Sequence, residues 1–170
     1  MQLSTTIDFS RGDVDEKNGE YLANALQNNT ALRPLSLRGE NQIGDTGAEH
    51  LANVLREKTT LVELDLRRNI GGLCVTIGAE IEIRNNKTLR KLSLRYNEIG
   101  PKGAFRVAAV LRNNTTLINP DLFGNHIEDK GMKYFAEALK NNMVSHIYDH
   151  RSSYQNVNLT DTDYIRVWGG

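Results

Sequence analysis

The sequence has few of the residues that mark secreted, membrane-spanning or disulfide-stabilised proteins. Its 170 residues include one cysteine, Cys74, and 6% aromatic residues. A single cysteine cannot form an intramolecular disulfide, and it fits a reducing compartment. No apolar run approaches the roughly 20 residues that span a bilayer, and residues 1–10 lack the basic and then apolar pattern of a secretory signal. We therefore expect a cytoplasmic protein without membrane association.

An excess of charge of either sign is also missing. The chain carries 21 basic and 21 acidic side chains, and its formal net charge is zero. No overall field therefore draws it toward nucleic acid or an anionic membrane. We expect a monomer of one domain length whose partner is not a nucleic acid.

Motifs of catalysis and cofactor binding are absent as well. The sequence contains no H-E-x-x-H, Walker-type or G-x-S-x-G pattern. His146 and His150 have the spacing of two metal ligands on one helix face, with Asp149 nearby, but no cysteine pair completes such a site and a polar tail is the favoured interpretation. Cys74 is expected to pack as a small apolar residue, and an exposed reactive thiol is the alternative. We expect a protein that is not an enzyme and binds no metal or cofactor.

The sequence does contain a repeat of about 28 residues. An apolar pair flanking one polar residue recurs, and its second member lies at positions 9, 37, 66, 94 and 122, in steps of 28, 29, 28 and 28 residues. The pairs are Ile7/Phe9, Leu35/Leu37, Leu64/Leu66, Leu92/Leu94 and Pro120/Leu122. A set of mostly polar tripeptides, which begin at positions 28, 57, 85, 113 and 141, keeps the same step. Two independent patterns with one period indicate an internal repeat.

Each repeat combines a strand pattern with a helix pattern. Apolar residues alternate in the first part of the unit and recur at spacings of three and four in the second part, which predicts a strand followed by a helix. The helical stripes are Ala48, Leu51, Ala52 and Leu55; Ala104, Val107, Ala108 and Leu111; and Met132, Phe135, Ala136 and Leu139. The step of 29 inserts one residue between Leu37 and Asn41, and Gly71-Gly72 makes the third unit irregular. We predict five units over residues 1–143.

A family resemblance rests on these residues. The segment Leu89-x-x-Leu92-x-Leu94-x-x-Asn97-x-Ile99, followed by Gly103-Ala104 and Leu111-x-Asn113-Asn114, resembles the ribonuclease-inhibitor type of leucine-rich repeat. The match covers roughly residues 5–143. It implies an α/β fold, a right-handed curved solenoid or horseshoe with a parallel sheet on the concave side and helices on the convex side. Tropomodulins, Ran GTPase-activating proteins and NOD-like receptor sensor domains share this fold and use it to bind proteins.

Polar residues recur where the chain leaves each predicted strand. The asparagines at these points are Asn41, Asn69, Asn97 and Asn125. An amide in such a turn can satisfy backbone groups that neither a helix nor a sheet would pair. We interpret these residues as a structural ladder.

Three rows of side chains are predicted on the sheet face that points away from the helices, because successive strand residues point to opposite faces. The first row is Thr6, Pro34, Glu63, Lys91 and Asn119; the second is Asp8, Ser36, Asp65, Ser93 and Asp121; the third is Ser10, Arg38, Arg67, Arg95 and Phe123. In one interpretation the three arginines are solvated and pair diagonally with Asp8, Asp65 and Asp121. In the other they form a forked patch for carboxylates or phosphates of a partner, which ends at Phe123 as an apolar anchor. Glu63, Lys91, Asp65 and Asp121 would belong to the same binding surface.

Residues 144–170 lose the period but keep apolar side chains. We favour a cap on the last repeat, and the alternative is a segment that orders on a partner through Tyr164 and Trp168. For the whole chain we expect a protein-protein interaction scaffold that binds a macromolecule through the concave sheet and adjacent loops. The alternatives are a GTPase-activating or other enzyme-regulating protein and a tropomodulin-like actin regulator.

Overall fold

Five short strands form one parallel sheet in a computed structural model that describes residues 6–11, 14–57, 60–69 and 86–140. The strands lie side by side in chain order: β1 (Ile7–Asp8), β2 (Pro34–Ser36), β3 (Glu63–Asp65), β4 (Lys91–Ser93) and β5 (Asn119–Asp121). The described segments contain four helices: α1 (Glu16–Gln27), α2 (Gly44–Glu57), α3 (Pro101–Asn113) and α4 (Glu128–Leu139). The predictions for Gly71-Gly72, Cys74, His146, His150 and residues 144–170 lie outside the described residues.

Equivalent positions of successive repeats pair across the sheet. Leu35 pairs with Ile7 on one side and Leu64 on the other, Leu64 pairs with Leu92, and Leu92 pairs with Pro120. Each strand therefore pairs with the equivalent residues of the next repeat. This arrangement confirms the predicted solenoid of strand and helix units.

The core lies between the sheet and the helices. Leucines of the strands and the apolar stripes of the helices form one buried cluster, in which α1 packs against α2 and α3 against α4. Burial of a leucine side chain contributes about 1.5–3 kcal/mol, so stacking the repeats supplies the main stabilising free energy. Two details differ from the sequence prediction. On α4, Ala138 is buried and Ala136 only partly so, and Phe9 is 38% exposed because β1 is the edge strand of the described sheet.

Glycines allow the helices to approach one another closely. Gly19 on α1 lies against Gly47 on α2, where an added Cβ at position 19 would be 3.0 Å from the Cα of Gly47. On α4, an added Cβ at Gly131 would be 2.8 Å from the Cβ of Ala104. Together with Gly103, these glycines occupy equivalent places in their repeats, since the positions 19, 47, 103 and 131 differ by multiples of 28. The column sets the spacing of the helix layer.

The asparagines at the strand exits are buried and hydrogen-bonded across repeats. Asn125, which is fully buried, donates from Nδ2 to the carbonyl oxygens of Leu94 (2.9 Å) and Leu122 (2.5 Å). Its Oδ1 accepts from the backbone N–H groups of Asn97 (3.1 Å) and Ile99 (3.0 Å). Asn69 and Asn97 also donate from Nδ2 to the preceding repeat, to the carbonyl oxygens of Leu37 and Leu66 respectively. Each amide therefore joins two adjacent repeats.

The ladder has one defect, and it coincides with the inserted residue. Asn69 Oδ1 is buried and has no hydrogen-bond partner among the described residues. The preceding repeat carries the extra Gly39 before Asn41. Asn41 keeps its own bonds, with Nδ2 donating to Leu37 (2.7 Å) and Oδ1 accepting from Val14 N–H (3.0 Å). The insertion is thus accommodated at the cost of one unpaired oxygen.

A second set of asparagines, which sequence reasoning did not identify as structural, precedes β2, β4 and β5. Asn114 Oδ1 accepts from the backbone N–H groups of Thr116 and Leu117, both at 2.8 Å. Asn86 and Asn29 make the same pair of bonds two and three residues ahead. Asn114 Nδ2 donates to the carbonyl oxygen of Asn86 (3.2 Å). In these repeats an asparagine amide therefore stabilises the turn into the strand, as the ladder asparagines stabilise the turn out of it.

The ladder predicts a large cost for Asn125→Ala. The change leaves two carbonyls and two N–H groups without their buried partner, so we expect the free energy of unfolding to fall by about 2–4 kcal/mol. Urea denaturation followed by circular dichroism measures it. The matched control is Asn53→Ala, an exposed asparagine on α2, which should change stability by less than about 0.5 kcal/mol. Equal effects of the two substitutions would contradict the structural role of the ladder.

Candidate partner-binding surface

The sheet face that points away from the helices, here called the open face, carries the three predicted rows. Strand pairing aligns Pro34, Glu63, Lys91 and Asn119 in the first row, and Asp8, Ser36, Asp65, Ser93 and Asp121 in the second. Backbone hydrogen bonds continue the alignment beyond the strands, because the carbonyls of Arg38, Arg67, Arg95 and Phe123 accept from the preceding repeat. The third row is therefore in register, and its arginines lie about 4.8 Å apart along the backbone.

After the third row, every repeat adopts a left-handed backbone conformation, one residue later in four repeats and two residues later in the second, where Gly39 (φ 86°) follows Arg38. We call this set the exit column: Arg11 (φ 56°), Glu40 (φ 55°), Arg68 (φ 55°), Tyr96 (φ 55°) and Gly124 (φ 74°). Four of the five carry a side chain in a region of φ that favours glycine, at a cost of about 1–3 kcal/mol each. In the last four repeats the ladder asparagine follows directly and fixes the turn.

Arg67 is held by an acid of its own repeat. Its guanidinium donates from Nε to both oxygens of Asp65 (2.9 and 3.0 Å) and from Nη2 to Oδ2 (2.6 Å). The hydrogen bond to Asp65 raises the pKa of Arg67, and burial opposes this rise. Arg67 lies just beyond β3 and pairs with Asp65 of its own repeat, whereas the diagonal arrangement predicted from the sequence would join two repeats. Arg67 is thus fixed in place with its charge partly compensated.

Arg95 lies between an acid and an aromatic ring. Its Nη1 is 3.4 Å from Asp121 Oδ2 on the neighbouring strand. Its guanidinium carbon is 4.4 Å from the ring centroid of Phe123, within the range of a cation–π contact. Phe123 is half-buried beneath it. The residue predicted as an apolar anchor therefore supports an arginine in the structure.

Arg38 is exposed and makes no ion pair with a described residue. Its Nε donates to Ser10 Oγ (3.0 Å), and Ser10 is in turn hydrogen-bonded to Asp8 and lies 3.0 Å from Ser36 Oγ. Hydrogen bonds from the Ser10 side chain and backbone lower the pKa of Asp8, with a smaller contribution from the charge of Arg38. The predicted pairing of Arg38 with Asp8 is thus relayed through a serine.

Two aromatic residues, Tyr96 of the exit column and Phe123 of the third row, lie next to the arginines. The rings of Tyr96 and Phe123 meet edge to face, with centroids 5.5 Å apart and an angle of 77°. The guanidinium carbon of Arg68 lies 5.3 Å, and that of Arg95 5.7 Å, from the Tyr96 centroid. One guanidinium group of the third row and one of the exit column therefore pack on the same tyrosine ring.

Described residues of the open face line two grooves. The larger, here called the exit groove, has a volume of about 530 Å³ and is lined by Ser10, Arg11, Arg38, Gly39, Arg67, Arg68, Arg95 and Tyr96. The smaller, of about 270 Å³, is lined by Glu63, Leu64, Asp65, Arg67, Lys91, Leu92, Ser93 and Asp121. In the smaller groove Lys91 Nζ lies 3.3 Å from Glu63 Oε2. One groove is basic and the other carries both signs.

The structure brings the predicted arginines together and adds residues that sequence reasoning missed. Arg38, Arg67 and Arg95 line the exit groove as a set, but Arg11, Arg68 and Tyr96 line it too. A signal for them was available, since positions 11, 40, 68, 96 and 124 follow the repeat period. The left-handed backbone that directs them into the groove was not visible in the sequence.

Among the described residues, no group of three or more His, Cys, Asp or Glu side chains is placed to hold a metal ion. None of the helices in this part of the chain combines the length and apolar content that crossing a membrane requires.

Comparisons with known proteins agree with the architecture. A family model described as "Leucine Rich repeat" matches at three places, residues 28–52, 85–108 and 113–136. A solved structure titled "Leiomodin-1 Actin-Binding Site 2 (ABS2)" is similar with a TM-score of 0.68 and 22% sequence identity, over 81% of this chain and 79% of that chain. Sequence comparison with curated proteins gave no significant match. At this identity the likeness to the solved structure concerns the fold.

The packing of Tyr96 predicts that Gly124 cannot carry a side chain. A Cβ there would lie 2.3 Å from Tyr96 Cδ1, on a backbone with φ 74°. We expect Gly124→Ala to lower the free energy of unfolding by about 1–3 kcal/mol. Gly100→Ala is the control, because an added Cβ there has only the His126 carbonyl oxygen nearby, at 3.9 Å. Chemical denaturation of both variants tests this, and a Gly124→Ala variant as stable as the control would show that the turn is not constrained as described.

Proposed function

We propose that this leucine-rich-repeat solenoid is a non-catalytic protein-binding module that takes its partner on the open face of the sheet. The observation that carries the proposal is the contrast between the two faces. The helix-packed face is filled by the leucine core, whereas the open face presents two grooves and exposed charged side chains.

The energetics of the open face support this assignment. Lys91 and Glu63 form an ion pair while their side chains are 62% and 47% exposed. Exposed ion pairs of this kind contribute about 0–1 kcal/mol to stability. The fold therefore depends little on these charges, which remain available to fix the register and orientation of a partner.

A photo-cross-linking amino acid placed on each side of the solenoid tests the proposal. One variant carries it in place of Lys91 on the open face, and the control carries it in place of Lys133, which is exposed on α4. We expect a specific protein adduct from the Lys91 variant alone, and we expect the purified partner to bind more weakly to Lys91→Glu. Equal adducts from both positions, or an adduct from Lys133 only, would contradict an open-face site. The identity of the adduct also distinguishes an enzyme-regulating role from other kinds of binding.

Actin binding is the second candidate. It is favoured by the similarity, over about four fifths of both chains, to a solved structure whose title describes an actin-binding site. Co-sedimentation of the purified chain with actin filaments, and the rate of actin polymerisation in its presence, test this candidate. We expect saturable co-sedimentation or a changed polymerisation rate. The absence of both effects would remove actin from consideration and leave the general proposal to the cross-linking experiment.

A further inference from the structure

We infer that the exit groove is a binding site for an acidic peptide segment of a partner protein. The inference rests on the proposed function, because it names the chemistry that the open face recognises. It concerns the strand-exit turns and not the smaller groove over the strands.

The first reason is a local excess of positive charge in a neutral chain. Five of the eight residues that line the groove are arginines, and none is acidic. Arg67 and Arg95 are half-buried and paired with aspartates. The other three, Arg11, Arg38 and Arg68, are exposed and make no ion pair with a described residue. An anionic ligand would relieve the repulsion among these charges and accept their hydrogen bonds.

The backbone supplies a second reason. Arg11 and Arg68 occupy the exit column at φ 56° and 55°, where glycine is the favoured residue. The fifth repeat has Gly124 at the same point, so the turn itself does not require a long side chain. The aliphatic part of the Arg11 side chain also lies across the inserted Gly39, where an added Cβ would be 3.1 Å from Arg11 Cγ. Strained positions that hold arginines are expected where the side chain contributes to recognition.

The spacing of the arginines fits an extended peptide. Adjacent repeats are separated by about 4.8 Å, so Arg38, Arg67 and Arg95 span about 10 Å. An extended chain rises about 3.4 Å per residue, and three or four acidic residues therefore cover this distance. Tyr96, which is 37% exposed, offers an apolar contact at the end of the row. The expected ligand is a short acidic run followed by an apolar residue.

The aromatic geometry argues against a nucleic acid. Single-stranded nucleic acids bind through bases stacked on open aromatic faces. The Tyr96 ring is instead packed against Arg68, Arg95 and the ring of Phe123. The groove therefore offers guanidinium groups in a fixed arrangement and no free stacking platform among its lining residues.

Glu40 gives the inference an internal control. It stands in the exit column between Arg11 and Arg68, is exposed, and donates its backbone N–H to the Arg68 carbonyl at 2.6 Å. Its carboxylate does not line the groove, but it lies next to the expected path of an acidic ligand. Removal of this charge should strengthen binding, whereas removal of a groove arginine should weaken it.

The experiment measures fluorescence anisotropy of a labelled peptide of four glutamates and one leucine, titrated with the full chain at low salt. We expect Arg11→Gln, Arg38→Gln and Arg68→Gln each to weaken binding about tenfold, the loss of one charged hydrogen bond. Glu40→Gln should strengthen binding about two- to threefold. Arg112→Gln, an exposed arginine on α3, is the matched control and should leave affinity unchanged. Circular dichroism establishes that each variant is folded.

Three results would overturn the inference. These are equal binding of a peptide with glutamine in place of glutamate, equal weakening by Arg112→Gln, and tighter binding of a single-stranded RNA of the same charge. Failure here is distinguishable from failure of the proposed function. A specific cross-link at position 91 without peptide binding would leave an open-face partner in place and remove only the acidic-peptide site.

Discussion

The buried amide of each strand-exit asparagine is the interaction on which the rest of the structure depends. In Asn125 one side chain satisfies two carbonyls and two N–H groups that belong to adjacent repeats. Without it, the chain would bury unpaired polar backbone groups at the point where it leaves the sheet, at a cost of about 1–3 kcal/mol for each group. The ladder thereby fixes the exit turns in a left-handed conformation. It also places side chains at equivalent positions of successive repeats in one column.

The two faces of the sheet are under different constraints. Leucines pack toward the helices, and the glycine column, exemplified by Gly131 against Ala104, lets neighbouring helices approach closely enough to seal the core. The open face does not have to pack against helices, because every second side chain of a strand points away from the core. Charged and aromatic residues can therefore collect there without loss of the fold, and the exit groove with its five arginines is the result.

The regular part of the fold was predictable from the sequence, because a period of 28 residues directly determines strand pairing and the position of each leucine. The site was predictable only in part. Arg38, Arg67 and Arg95 follow from the alternation of strand side chains, but Arg11 and Arg68 enter the groove through positive φ values that the residue types disfavour. The pairing of Arg67 with Asp65 depends on side-chain conformation within one repeat. The exposure of Phe9 depends on its place at an edge, which its apolar character does not reveal.

Amide hydrogen exchange of the full chain, with and without the acidic peptide, tests most directly whether the exit turns form a recognition site. We predict slower exchange on binding at residues 38–40, 67–69 and 95–97, with unchanged exchange in α3 and α4, because the ligand would contact the turns that the asparagine ladder holds. Protection confined to the helices, or protection spread evenly over the chain, would contradict a site built from these turns.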